Sequence, residues 1–169
     1  MEGGYTPKNL NFGSEGRDKL VKGITTIAEA VKSTLGPMGR TVLIESPNHT
    51  GGITVTKDGV TVAKAVDLLD PVENLAVRMM KEASERTASS AGDGTTTAIV
   101  LTEAIVKAAG ELLASDANVT EVLRYLQAES LVIQEQLQGS SIPVTAELIS
   151  DVATISANND ASIGTIISD

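Results

Sequence analysis

Three observations predict a mainly α-helical bundle carrying one small β-hairpin. Apolar residues recur at three- and four-residue steps over most of the 169-residue chain. One stretch, Arg40 to Gly59, instead holds two short β-branched runs around turn chemistry. Composition adds the third: 41% of residues are hydrophobic but only 2% are aromatic (Tyr5, Phe12 and Tyr125), so the core must be aliphatic. The length suits one domain, or one domain and a fragment of another.

In SEGRDKLVKGITTIAEAVKSTLG, residues Leu20, Ile24, Ile27, Val31 and Leu35 share one helical face. Ser14 is the expected cap, and Gly36-Pro37 the stop. RTVLIES and GGITVTKDG flank the turn segment PNHTGG and predict the hairpin. Two strands are marginal alone, so the hairpin must lean on another element. GVTVAKAVDLLD fits a strand or a short helix, and its alanines and polar end favour helix.

Pro71 suits a first helical turn. It opens a helix whose face is Val72, Leu75, Ala76, Met79 and Ala83, ended by Gly92. The next helix runs from about Thr95 to Ser115, and Ile99, Leu101, Ile105, Val106, Ala109, Leu112 and Leu113 cover much of its circumference. That pattern predicts a place in the middle of the bundle. NVTEVLRYLQAESLVIQEQLQG predicts an amphipathic helix through Val119, Val122, Leu123, Leu126, Ile133 and Leu137. Gly139 and SSIP then mark an expected domain boundary. A shorter helix and a polar loop fill VTAELISDVATISANND, and Asp160 caps a last helix. Only about two turns of it precede Asp169, too few to be stable in isolation, so a cut from a longer chain is expected.

Net charge is −9, from 13 Lys+Arg against 22 Asp+Glu. Such a chain repels phosphate backbones and has few rings to stack on bases, which argues against a nucleic-acid partner. A small phosphate ligand carried with a metal ion stays open, because local geometry decides that. With no cysteine, disulfides and thiolate metal sites are excluded. MEGGYTPKNLNFG has neither an apolar signal core nor an Arg-rich presequence. No run reaches the roughly 18 apolar residues of a membrane span. A soluble, intracellular protein without a membrane partner is expected. His49, the only histidine, falls in the hairpin turn and reads as a solvated loop residue, so no Ser-His-Asp set forms.

Three polar elbows carry the candidate chemistry. AGDGTTT places Asp93 between glycines, ahead of Thr95, Thr96 and Thr97 at a helix start. Unpaired N–H groups and the positive dipole end bind phosphate there. Asp93 either holds Mg2+, which accepts one or two carboxylates plus phosphate oxygens, or simply caps the helix. No Gly-Lys-Ser/Thr follows, so this is not a Walker A loop. STLGPMGR is either a plain Gly-Pro turn or an elbow that exposes backbone to a ligand. TKDG offers Lys57 and Asp58, or is an ordinary Asp-Gly turn.

TLGPMGR, TKDGVTVAKAV, AGDGTTTAIVL and TISANND occur in that order. Motifs and spacing together resemble GroEL-type (group I) chaperonins from about Pro7 to the last residue. The resemblance implies the N-terminal half of an equatorial ATP-binding domain over residues 1–139 and the start of an intermediate hinge domain over 140–169. The apical domain and the C-terminal equatorial half would lie outside this chain.

Carried over by position, Thr34, Leu35, Gly36 and Pro37 would lie along ATP, and Lys57 near its phosphates. Asp93 would hold Mg2+, with K+ a second cation. Gly94, Thr95, Thr96 and Thr97 would wrap the phosphates, and Ile155 and Ser156 would occupy hinge positions close to the nucleotide. Asp58 would have a secondary catalytic role, orienting water. The main water-activating aspartate would lie in a segment this chain does not contain, so the 169 residues alone are expected to bind nucleotide weakly without turning it over. Met38 stands where many relatives carry lysine, which weakens the positive field at that elbow.

The implied partners are a homo-oligomeric ring, sevenfold, joined through the Thr41–Thr56 hairpin. Unfolded clients and a co-chaperonin would bind through the absent domains. The implied location is the cytoplasm of a bacterium or of a virus-infected bacterial host, ahead of an organellar matrix. A different class of reading is a naturally short chaperonin-like module that inserts into rings without hydrolysing ATP.

Overall fold

The structure, a computed structural model, describes residues 8–36, 38–45, 52–114, 117–157 and 159–168. Along the chain come α1 (Gly13–Lys32), β1 (Val42–Glu45), β2 (Ile53–Thr56), α2 (Gly59–Ala65) and α3 (Pro71–Ala91). They are followed by α4 (Thr95–Ala114), α5 (Val119–Ser140), α6 (Ala146–Ser156) and α7 (Ala161–Ser168). Contacts divide the chain into two units, Met1–Ala117 and Asn118–Asp169.

In the first unit α1, α3 and α4 pack on one another, and α2 lies against α1, α4 and β1. The core is aliphatic: Ile27, Ala28 and Val31 of α1, Val62 and Ala63 of α2, Val77 and Met80 of α3, and Ile99 of α4. Helices α1 and α3 touch backbone to backbone. A Cβ on Gly23 would lie 2.3 Å from the Glu73 carbonyl oxygen. Two ion pairs flank that contact, Lys22–Glu73 at 2.6 Å and Lys19–Asp70 at 3.1 Å. Asp70 also caps α3, accepting from the Val72 and Glu73 amides at 2.8 and 3.2 Å. Pro71 fits the first turn, and Gly92, at φ 79°, ends the helix in the left-handed region.

The hairpin is antiparallel, pairing Val42 with Thr56, Leu43 with Val55, Ile44 with Thr54 and Glu45 with Ile53. Val42 and Ile44 pack against the core, which gives the two strands their support. The expected PNHTGG turn, His49 included, lies outside the described residues apart from Gly52.

Several sequence expectations are corrected. Helix α1 starts at Gly13, whose φ of 71° is cheap only for glycine. Ser14 therefore falls inside the first turn, and Phe12 occupies the cap position without a side-chain bond. Leu35 lies beyond the end of α1 and is 46% exposed. On α3 the buried stripe is Ala76, Val77, Met80 and Ser84, while Leu75 and Met79 are exposed. The Gly23–Glu73 contact sets that rotation, because it fixes which line of α3 faces α1. Helix α4 meets α1, α2 and α3, yet Leu101, Ile105 and Leu112 stay exposed and its buried residues are Thr95, Ile99 and Glu103.

In the second unit Asn118 caps α5, accepting from the Thr120 amide at 2.9 Å, and α5 buries no residue. Helices α6 and α7 pack on each other through small residues. A Cβ on Gly164 would lie 1.9 Å from Thr154 Oγ1, and Ala153 is buried. Asp160 caps α7 as expected, accepting from the Ser162 amide at 2.9 Å and its hydroxyl at 2.6 Å. No helix among the described residues is long and apolar enough to cross a membrane.

Candidate functional site

The start of α4 resolves one open alternative. The Gly94 carbonyl accepts from the Ala98 amide at 2.9 Å, so Gly94 holds the cap position and Asp93 lies outside the helix. Asp93 is exposed, and its Oδ1 accepts from the Gly94 amide at 2.6 Å. Gly94 has a φ of 94°. As first-turn groups, the Thr95, Thr96 and Thr97 amides have no intrahelical acceptor, and no described side chain accepts from them. Thr95 is buried, Thr96 half-buried and Thr97 exposed.

The elbow after α1 is a closed turn. The Thr34 amide and hydroxyl both donate to the Val31 carbonyl, at 3.0 and 2.8 Å. The Gly39 amide reaches the Gly36 carbonyl at 2.9 Å, and the Arg40 amide reaches that of Ser33 at 2.7 Å. Gly36 has a φ of 77°, and a Cβ on Gly39 would sit 2.3 Å from the Thr34 carbonyl oxygen. Leu35, Gly36 and Met38 are exposed, and Pro37 lies outside the described residues.

The third elbow starts α2, so Asp58 is a helix cap in place of an isolated turn residue. Its Oδ1 accepts from the Val60 amide at 3.1 Å. Its Oδ2 accepts from the Thr61 amide at 3.0 Å and the Thr61 hydroxyl at 2.6 Å. Partial burial pushes this carboxyl up, but the Thr61 and Val60 bonds, aided by Lys64, outweigh it and hold the group below the usual aspartate value. Lys57 is exposed and has no ion-pair partner among the described residues.

These elbows meet at Gly59. A Cβ there would lie 2.0 Å from Thr96 Oγ1 and 2.9 Å from Thr34 Oγ1. Three stretches far apart in sequence thus converge beside the open amides of α4. Ile155 and Ser156 lie at the end of α6, in the second unit, and both are exposed.

One residue of consequence escapes the sequence reading. Glu103 is 2% exposed. Its Oε1 accepts from Lys107 Nζ at 2.7 Å, and its Oε2 pairs with Lys32 Nζ. Burial pushes its carboxyl up, but the two lysines more than compensate and hold it below the usual glutamate value. The Glu-to-Lys step of four residues was a readable signal. Its burial was not.

Open amides at a helix N-terminus, next to hydroxyls and free of a blocking side chain at Gly59, suit a phosphate group. Among the described residues no three Asp, Glu or His side chains converge on a metal site. A single carboxylate, Asp93, fits a cation that arrives with its own phosphate ligands.

Residues 27–169 match the TCP-1/cpn60 chaperonin family. The chain belongs to that family. Heat shock protein 60 of Emericella nidulans is 47% identical over 165 residues, and mitochondrial heat shock protein 60 of Ajellomyces capsulatus is 48% identical over 165. The match covers 97% of this chaperonin chain but only 28% of each of those proteins. Among solved structures, the chaperonin gp146 of bacteriophage EL 2 (Pseudomonas aeruginosa), determined in the presence of ATP-BeFx, superimposes with a TM-score of 0.78 at 28% identity. That likeness covers 92% of this chain and 27% of gp146. The GroEL-type resemblance and the mainly α fold with a small hairpin are thereby borne out.

Proposed function

We propose that this chain is the ATP-binding part of a ring-forming chaperonin that assists protein folding by ATP-driven conformational change. The observation that carries the reading is the convergence of Thr34, Gly59 and Thr96 beside the open amides of α4. The Gly94–Thr97 amides and the threonine hydroxyls would hold the phosphates. Thr34, Leu35, Gly36 and Pro37 would line the nucleotide, with Lys57 as a nearby cation and Ile155 and Ser156 as hinge residues that contact it. Asp93 would hold Mg2+, whose chemistry is to neutralise charge on the phosphates. K+ would be a second cation. Asp58 spends three of its roughly four acceptor positions on its cap, which leaves one to orient water.

Residues 1–139 would belong to the equatorial domain and 140–169 to the hinge. The hairpin, with Leu43 and Val55 exposed, would pair with a neighbouring subunit in a sevenfold ring. Clients and a co-chaperonin would engage the longer protein outside these residues. A mitochondrial relative and a phage relative make an organellar matrix and a bacterial cytoplasm both consistent with the family.

The test is titration of the chain with Mg·ATP, followed by amide NMR shifts. The amides of Gly94 to Thr97 are expected to shift, and Asp93→Ala should weaken binding by about tenfold or more, on the scale of one lost charge-assisted contact. Unmoved Gly94–Thr97 amides at millimolar nucleotide would sink the reading. Multiple-turnover hydrolysis by this chain alone, lost in Asp93→Ala, would overturn the assignment of water activation to a segment outside it.

A further inference from the structure

We infer that Glu103 is a positioning residue that fixes the end of α1, and with it the Thr34 elbow, against the first turn of α4. The inference rests on the nucleotide reading of that turn. Lys32 is the last residue of α1, and Thr34 follows two residues later. Glu103 lies on α4 seven residues past Thr96, roughly 10 Å along the helix axis. The pair Lys32–Glu103 therefore ties the helix that carries one elbow to the helix that carries another.

The two arms of Glu103 do different work. Oε1 takes Lys107, four residues on in the same helix, and cannot hold α1. Oε2 takes Lys32 and is the arm that crosses between helices. The rest of the α1–α4 interface is aliphatic, with Ile27, Val31 and Ile99 in the shared core, and such contacts resist sliding only weakly because they are non-directional. A buried carboxylate that loses a partner keeps a poorly compensated charge, so the ionic arm is the one that sets register. Register matters here because Gly59, Thr34 and Thr96 meet with no spare room.

The test compares Lys32→Met with Lys107→Met. Each leaves Glu103 one lysine, so a merely structural role predicts equal effects. Two quantities are read on the whole chain: the Mg·ADP dissociation constant, and the nuclear Overhauser contact between Thr34 and Thr96 without ligand. Lys32→Met is expected to weaken Mg·ADP by about tenfold and to lose the contact, while Lys107→Met stays within about twofold and keeps it. Glu103→Gln, isosteric and neutral, is expected to follow Lys32→Met and takes its place if that variant does not fold. Equal changes in the two lysine variants, or none in either, overturn the inference. If the parent chain binds no Mg·ADP, the site reading fails, and the Thr34–Thr96 contact alone decides whether Glu103 positions the elbow.

Discussion

The first unit gathers eight apolar side chains from four helices into one buried cluster. Among the described residues of the second unit, Ala153 and Gly164 are buried, and α5, with 22 residues to the 20 of α1, buries none. Both helices carry clear apolar stripes. Periodicity therefore says which residues prefer an apolar partner, and tertiary contact decides whether they meet one. What the units share is a tight contact at a glycine that leaves no room for a Cβ, at Gly23 and Gly59 in one and Gly164 in the other.

The largest expected effect tests the difference in burial. Ile99 is 1% exposed at the centre of the first core. Ile99→Ala should cost about 2–5 kcal/mol, from lost transfer energy plus the cavity left behind. Leu131→Ala, on the exposed face of α5, should change stability by no more than about 0.5 kcal/mol. Urea unfolding with residue-resolved hydrogen exchange separates the two units. A large cost at Leu131 that grows with protein concentration would show α5 covered by a second copy, and the contrast would narrow.

Glycine substitutions sharpen what the units share. Gly59→Ala drives a methyl into Thr96 Oγ1, and Gly164→Ala drives one into Thr154 Oγ1. Overpacking of that kind should cost about 1–3 kcal/mol at each site. Gly110 in α4 and Gly139 in α5 have nothing within 4 Å of an added Cβ. Alanine at those helical positions should stabilise by about 0.5–1 kcal/mol. Gly59→Ala should also weaken Mg·ATP binding, which the other three substitutions should leave near the parent value. Thermal unfolding and the nucleotide titration read both effects.

Much of this was legible in the sequence. Element order follows from periodicity, Pro71, Gly92 and the β-branched hairpin runs, all local signals. The elbows could be picked out because helix ends and Asp-Gly pairs announce themselves locally. Their meeting could not, since the Gly59–Thr96–Thr34 contact joins residues far apart in sequence. The rotation of α3 is hidden from the sequence for a related reason. The stripe Leu75–Met79 looks more apolar than Val77–Ser84, but the glycine contact at Gly23 decides the face. The burial of Glu103 is hidden from the sequence because a carboxylate in an apolar helix ordinarily points to water, and one of the two lysines that make its burial tolerable, Lys32, arrives from α1.

The smallest effect expected is on pH dependence, and it sets the units apart by the source of their charge stabilisation. The Lys107 and Lys32 bonds, acting against burial, hold the folded Glu103 carboxyl below its ordinary value of 4.5. A depressed folded value means that the stabilisation is fully present above 4.5 and is lost as pH falls through the folded value. In the second unit the Ser162 hydroxyl and amide hold Asp160 below its ordinary 3.8, so its share is present above 3.8 and is lost as pH falls through the folded value. Unfolding midpoints between about pH 2 and 6 should then fall toward acid with a slope that Glu103→Gln flattens in the first unit. Asp160→Asn should flatten the slope only in the second. If Glu103→Gln leaves the acid slope of the first unit unchanged, the lysine clamp does not hold the carboxylate ionised, and the Lys32–Glu103 pair loses its standing as the tie between α1 and α4.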